Sequence, residues 1–177
     1  ADGSMQPEVL FSMIGSWKTC LDNSNTVVIA SRFIPGGGMK GMNASGTTSL
    51  VQFIGNIRKS NERLLPVLAS WCLNKVYYQL LRGYCHDSTS GFILGPRLLL
   101  NQVSLSGGHG AYFPSMLEQL RLIGTQIVEV PYIIRLRQHG TSKATSSLFH
   151  IVRSGLPYIY QIMKISTKQL KAKFVSR

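Results

Sequence analysis

Apolar residues along the chain fall into a few periodic runs separated by glycine-rich or polar stretches, and the period changes from run to run. After Pro7, suited to a first helical turn, Val9, Leu10, Met13, Ile14, Trp17 and Leu21 recur every three or four positions and predict an amphipathic helix. In TVVIASRF the β-branched Val27, Val28 and Ile29 are contiguous, which predicts a buried strand. Pro35 to Gly55 loses all periodicity and predicts a long loop. Helical spacing returns from Asn61 through Leu64, Leu65, Leu68, Trp71, Cys72, Val76 and Leu80, with Pro66 in the first turn and Gly83 as the stop.

Further on, DSTSG (Asp87 to Gly91) reads as a turn and GPRLLLNQV as a short helix. Ser115 to Ile123 predicts a helix stopped by Gly124, and TQIVEVPYII a strand carried past Pro131. RQHGTSKATS predicts a polar loop, and a last helix starts near Ser147 and runs into a basic tail. Strands interleaved with helices indicate α/β organisation. SLFHIVRSGLPYIYQIMKI is interrupted by His150, Arg153 and Pro157, so it falls short of the roughly 20 uninterrupted apolar residues of a membrane span.

Composition supports a folded core: 44% of the 177 residues are hydrophobic and only 15% charged. Charge adds a partner. Nineteen Lys+Arg against seven Asp+Glu give a formal net charge of +12, an excess that calls for phosphate, nucleic acid or an acidic lipid surface. Cys20, Cys72 and Cys85 form neither a disulfide framework nor a CxxC knuckle, so they are expected to be reduced and the chain cytoplasmic. No secretory signal pattern opens the chain.

Four stretches carry candidate chemistry. In ADGSMQPE, Asp2 before a helix start either holds a divalent cation against phosphate oxygens or caps the helix. In ASRFIPGGG, Arg32 just past the strand can pair with phosphate, or serve as a solvated surface charge. HDSTSGF sets Asp87 among hydroxyls in a turn that its own hydrogen bonds could explain. RLRQHGTSK offers Arg135, Arg137, Ser142 and Lys143, suited to an anion or simply a basic loop. His86, His109, His139 and His150 lack zinc spacing and are assigned no role.

The order of these pieces, DGS…PE, SRF.PGG, Ser70 and Asn74 on a helix, D.TSGF, G.YF, IVEVP and R..GTSK, resembles the family-2 glycosyltransferases, in particular the polyprenyl (dolichyl) phosphate mannose or glucose synthases, from Ala1 to about Lys143. The resemblance implies the C-terminal half of a GT-A fold, Rossmann-like with a mixed sheet. Residues 1–145 would form the acceptor-side half of the catalytic domain, and 146–177 an amphipathic helix and basic tail. Ala1 and Asp2 would be the last two residues of the family's DxD motif, making this chain a fragment, inactive alone, without the nucleotide-binding half.

The implied activity is metal-dependent, inverting transfer of a hexose from a nucleotide diphosphate sugar, of the GDP-mannose or UDP-glucose type, to a polyprenyl phosphate. Asp2 would bind Mg²⁺ or Mn²⁺ and, with Asp87, be catalytic; Arg32, Arg137, Ser142 and Lys143 would bind the acceptor phosphate. Pro66 stands where these synthases often carry an arginine, and Glu118 is displaced by a turn from an expected acidic position. A sugar hydroxyl of a cell-envelope glycan is the alternative acceptor, with Asp87 then a base. The expected location is peripheral, on the anionic cytosolic face of a membrane, where each basic residue near the surface contributes about 1 kcal/mol. A basic nucleic-acid-binding module accounts for the charge but not for the acidic turns, and no nucleic-acid partner is expected.

Overall fold

In the computed structural model the described residues are 6–39, 64–105, 110–134 and 148–175. They form a mixed α/β arrangement around a small sheet: α1 (Glu8–Lys18), a 3₁₀ turn (Asn23–Asn25), β1 (Thr26–Ser31), α2 (Leu64–Leu80), β2 (Ile93–Leu94), α3 (Arg97–Leu100), α4 (Tyr112–Leu122), β3 (Gln126–Pro131) and α5 (Leu148–Val175). The strand order is β2-β1-β3, with β1 antiparallel to β2 and parallel to β3.

β1 is the central strand, and every one of its residues is buried because both faces are covered. Val27 and Ile29 point to one side, packing with Leu81, Phe113, Leu117 and Leu120 of the α2 end and α4. Val28 and Ala30 point to the other, packing with Met13 of α1 and with Val130 and Tyr132. Alternation along a strand thus feeds two cores from one continuous apolar run.

The elements differ from the expected ones at four places. α1 ends at Lys18 rather than reaching Leu21, which is fully exposed. Asp22 Oδ1 accepts from the amides of Ser24 and Asn25, both at 3.1 Å, so a local side-chain turn outcompetes another helical turn. β2 has no counterpart among the expected elements, being two residues long and defined by its pairing with Val28 and Ile29. β3 ends at Pro131, and the chain then makes separate contacts: Tyr132 N donates to Ser31 O, and Ile134 N to Gly38 O. On α2, the regularly spaced Leu65, Leu68, Trp71 and Val76 are exposed, whereas Asn74 and Tyr77 are buried.

The loop after β1 folds back on the strand end. Gly37 N bonds Ile34 O at 2.9 Å, and a Cβ at Gly37 would lie 2.5 Å from Ser31 O, a close approach open only to glycine. α5 packs on α2 and α4: Tyr77 OH donates to Tyr158 O at 2.7 Å, and Gln169 Nε2 to Leu80 O at 2.8 Å. Among the described residues no helix is long and apolar enough to cross a membrane.

Candidate functional site

The C-terminal end of β1 is where three sequence segments converge. Arg32, the first residue after the strand, makes a fork-to-fork pair with Asp87 of the HDSTSGF turn: Nε donates to Oδ2 at 2.8 Å and Nη2 to Oδ1 at 2.7 Å. Arg32 N also donates to Asp87 Oδ2 at 2.9 Å. Nη2 reaches Thr89 Oγ1 at 2.7 Å, and Asn74 Nδ2 of α2 reaches the same hydroxyl at 2.8 Å. The turn is tied to the sheet as well, because Ser90 Oγ donates to the Ala30 carbonyl.

This pair is sealed. The Asp87 side chain is 0% exposed and that of Arg32 13%. Burial alone would lower the guanidinium's pKa, but the hydrogen bonds and charge of Asp87 outweigh it and hold Arg32 above its ordinary value. Tyr132 and Tyr158, near the same guanidinium, are both raised by burial, with the Arg32 charge partly opposing.

One residue away lies a second pair of different character. His86 Nδ1 is 2.6 Å from Glu129 Oε2 of β3, with the His86 side chain 46% exposed and that of Glu129 11%. Glu129 also accepts the amides of His86, at 3.0 and 3.1 Å, and of Asp87, at 3.3 Å. The imidazole stacks on Tyr78 with centroids 4.6 Å apart. Beneath Glu129, Cys85 is held well above its ordinary thiol pKa by burial and by the neighbouring carboxylate charge.

Between α2 and this turn lies a half-open cleft of about 250 Å³, lined by Phe33, Trp71, Asn74, Lys75, Tyr78 and His86. Lys75 Nζ sits 5.4 Å from the Trp71 ring centroid, and Arg32 lies over Phe33 at 5.3 Å. Among the described residues no carboxylate lines the cleft.

Of the sequence-predicted site residues, Arg32 and Asp87 are brought into direct contact. Ser70 and Asn74 join them through Thr89 and the Ser70 carbonyl, which accepts Asn74 Nδ2 at 2.9 Å. Asp2, Arg135, Arg137, Ser142 and Lys143 lie outside the described residues. The described residues flanking the two segments that hold them do meet, however: Gln6 Nε2 donates to Ile133 O at 3.2 Å, and Ile133 bridges Gly38 in the loop after Arg32. No group of three or more His, Cys, Asp or Glu residues is gathered for a metal among the described residues.

The His86–Glu129 pair was missed in the sequence because its members are 43 positions apart and Glu129 is embedded in an apolar strand. The adjacency of His86 to an acidic turn was the one signal pointing there. No protein-family model matches the chain, and no curated protein sequence matches it.

Proposed function

We propose that the chain supplies the acceptor-side part of a metal-dependent, inverting GT-A glycosyltransferase that moves a hexose from a nucleotide diphosphate sugar to a polyprenyl phosphate at an anionic membrane face. What supports this reading is the convergence at one strand end of SRF, the Ser70–Asn74 helix and D.TSGF, segments far apart in sequence and bonded through Arg32, Asp87 and Thr89. A Mg²⁺ or Mn²⁺ ion at Asp2 would neutralise charge on the departing diphosphate. Arg32 is held in one orientation by Asp87, and in this reading it would contact the acceptor phosphate together with Arg137, Ser142 and Lys143. A phosphate acceptor is anionic at neutral pH and needs positioning more than deprotonation.

α5 supplies the membrane side of the reading. Leu156, Ile159, Tyr160 and Met163 are exposed at helical spacing, with Lys164 and Lys168 following. The test joins this chain to a nucleotide-sugar-binding half and follows hexose transfer to a polyprenyl phosphate with and without divalent cation. Transfer lost on Asp2→Ala supports the reading; undiminished divalent-dependent transfer in that variant refutes the metal site.

One observation favours the second reading, a sugar hydroxyl as acceptor. Asp87 has both oxygens occupied by Arg32, yet beside it His86 faces the cleft with a carboxylate behind it, an arrangement that a phosphate nucleophile does not require. Nucleic-acid binding draws only on the net charge; a filter-binding titration without steep salt dependence disposes of it.

A further inference from the structure

We infer that His86 is the proton-accepting group of a hydroxyl site in the cleft between α2 and the His86–Thr89 turn, positioned by Glu129. The inference rests on the second of the two readings above, transfer to a sugar hydroxyl, and not on a phosphate acceptor.

The hydrogen-bond geometry fixes which nitrogen is available. Glu129 has only acceptors to offer, and it already takes the amide protons of His86 and Asp87. At 2.6 Å, Nδ1 must therefore be the donor, and Nε2 carries the lone pair of the neutral ring. The ring is held against Tyr78 and lines the cleft. Asn74, also in the lining, spends its Nδ2 protons on Ser70 O and Thr89 Oγ1, and its Oδ1 is buried without a partner among the described residues. One acceptor, His86 Nε2, and one ammonium, Lys75, between the aromatic walls of Phe33, Trp71 and Tyr78 suit a ring bearing hydroxyls; a phosphate dianion would call for donors alone.

Asp87 is excluded from this part by its neighbours. Accepting a proton would require it to release Arg32 inside a buried pair, leaving a guanidinium uncompensated. His86 carries no such obligation. Among the described residues, the groups around it are Glu129 from β3, Lys75 and Tyr78 from α2, and the mutually neutralised Arg32–Asp87 pair from the β1 end.

The step balances without a further reactant. The acceptor O–H bond breaks and its proton goes to Nε2. The oxygen's electron pair forms the bond to the anomeric carbon, while the anomeric C–O bond to the diphosphate breaks and its pair leaves with the diphosphate. The imidazolium so formed keeps its Nδ1–H on Glu129, which stabilises the charge.

Two measurements test this and separate it from the transfer reading. In imidazole ¹⁵N NMR of the 177-residue chain at a pH where the ring is neutral, His86 should carry its proton on Nδ1. Methyl hexopyranosides should move the Nε2 and Trp71 indole signals saturably, an effect lost in Trp71→Ala, whose side chain is half-exposed. A proton on Nε2, no saturable shift, or a shift produced by inorganic phosphate in place of the hexoside overturns the inference, whatever the outcome for turnover. In the joined enzyme, His86→Gln should lower kcat roughly 10²- to 10⁴-fold with little change in KM and remove the limb in which activity rises with pH. An unchanged pH profile in that variant also overturns it. Absence of transfer to every acceptor, with the NMR result intact, would instead refute the transfer reading.

Discussion

Arg32–Asp87 and His86–Glu129 are neighbouring hydrogen-bonded pairs joined by a single peptide bond between residues 86 and 87, yet they differ in nearly everything that decides what a polar group can do. The first is buried on both sides and bidentate, and it is reinforced by a backbone amide and by Thr89. The second has one partner buried and the other open to a cleft. A carboxylate with both oxygens engaged holds geometry; an imidazole anchored through one nitrogen makes no hydrogen bond through the other among the described residues and lines the cleft. In the reading proposed above, the acidic residue that attracts notice in the sequence sets the frame, and the histidine before it would present the chemistry.

The largest effect expected from breaking this contrast is at the sealed pair. Asp87→Ala leaves the guanidinium buried without a counter-charge and should cost about 3–5 kcal/mol in a urea titration. Gly37→Ala, which drives a Cβ into the Ser31 carbonyl beside that pair, should cost roughly 1–3 kcal/mol and shift the Arg32 amide resonance.

Next comes pH. Cys85, buried beneath the open pair, stays protonated in the folded chain past its ordinary value near 9, whereas the unfolded chain releases that proton. Stability should therefore fall as pH rises above about 9 toward the folded value, and Cys85→Ala should flatten the slope of the urea midpoint against pH. Tyr77 and Tyr84, also raised by burial, add to the decline above their ordinary value near 10. The smallest effect is at the open pair: His86→Gln should change stability by at most about 1 kcal/mol, because a half-exposed imidazole gains little from its partner.

The sequence shows every described α-helix and strand but β2 and, as separate residues, both members of one of the two pairs. Contiguous β-branched residues marked β1, Gly124 marked the end of α4, and SRF, Ser70, Asn74 and D.TSGF were singled out separately before the fold joined them. What local pattern could not reach was tertiary. β2 exists only because Ile93 and Leu94 lie against β1. The apolar spacing of α2 gave the helix but not its orientation, since Tyr77 and Leu81 anchor it while Leu68 and Trp71 face outward. Glu129 sat in a strand-like run, where nothing local signals that a carboxylate will receive a distant imidazole.

A double-mutant cycle on each pair, by urea denaturation of Asp87→Ala with Arg32→Met and of His86→Gln with Glu129→Gln, compares the two corners most directly. A framework role for the first and an exposed, chemical role for the second predict a coupling of about 3 kcal/mol or more between Arg32 and Asp87 and below about 1 kcal/mol between His86 and Glu129. Equal couplings, or the larger one at His86–Glu129, would contradict the account.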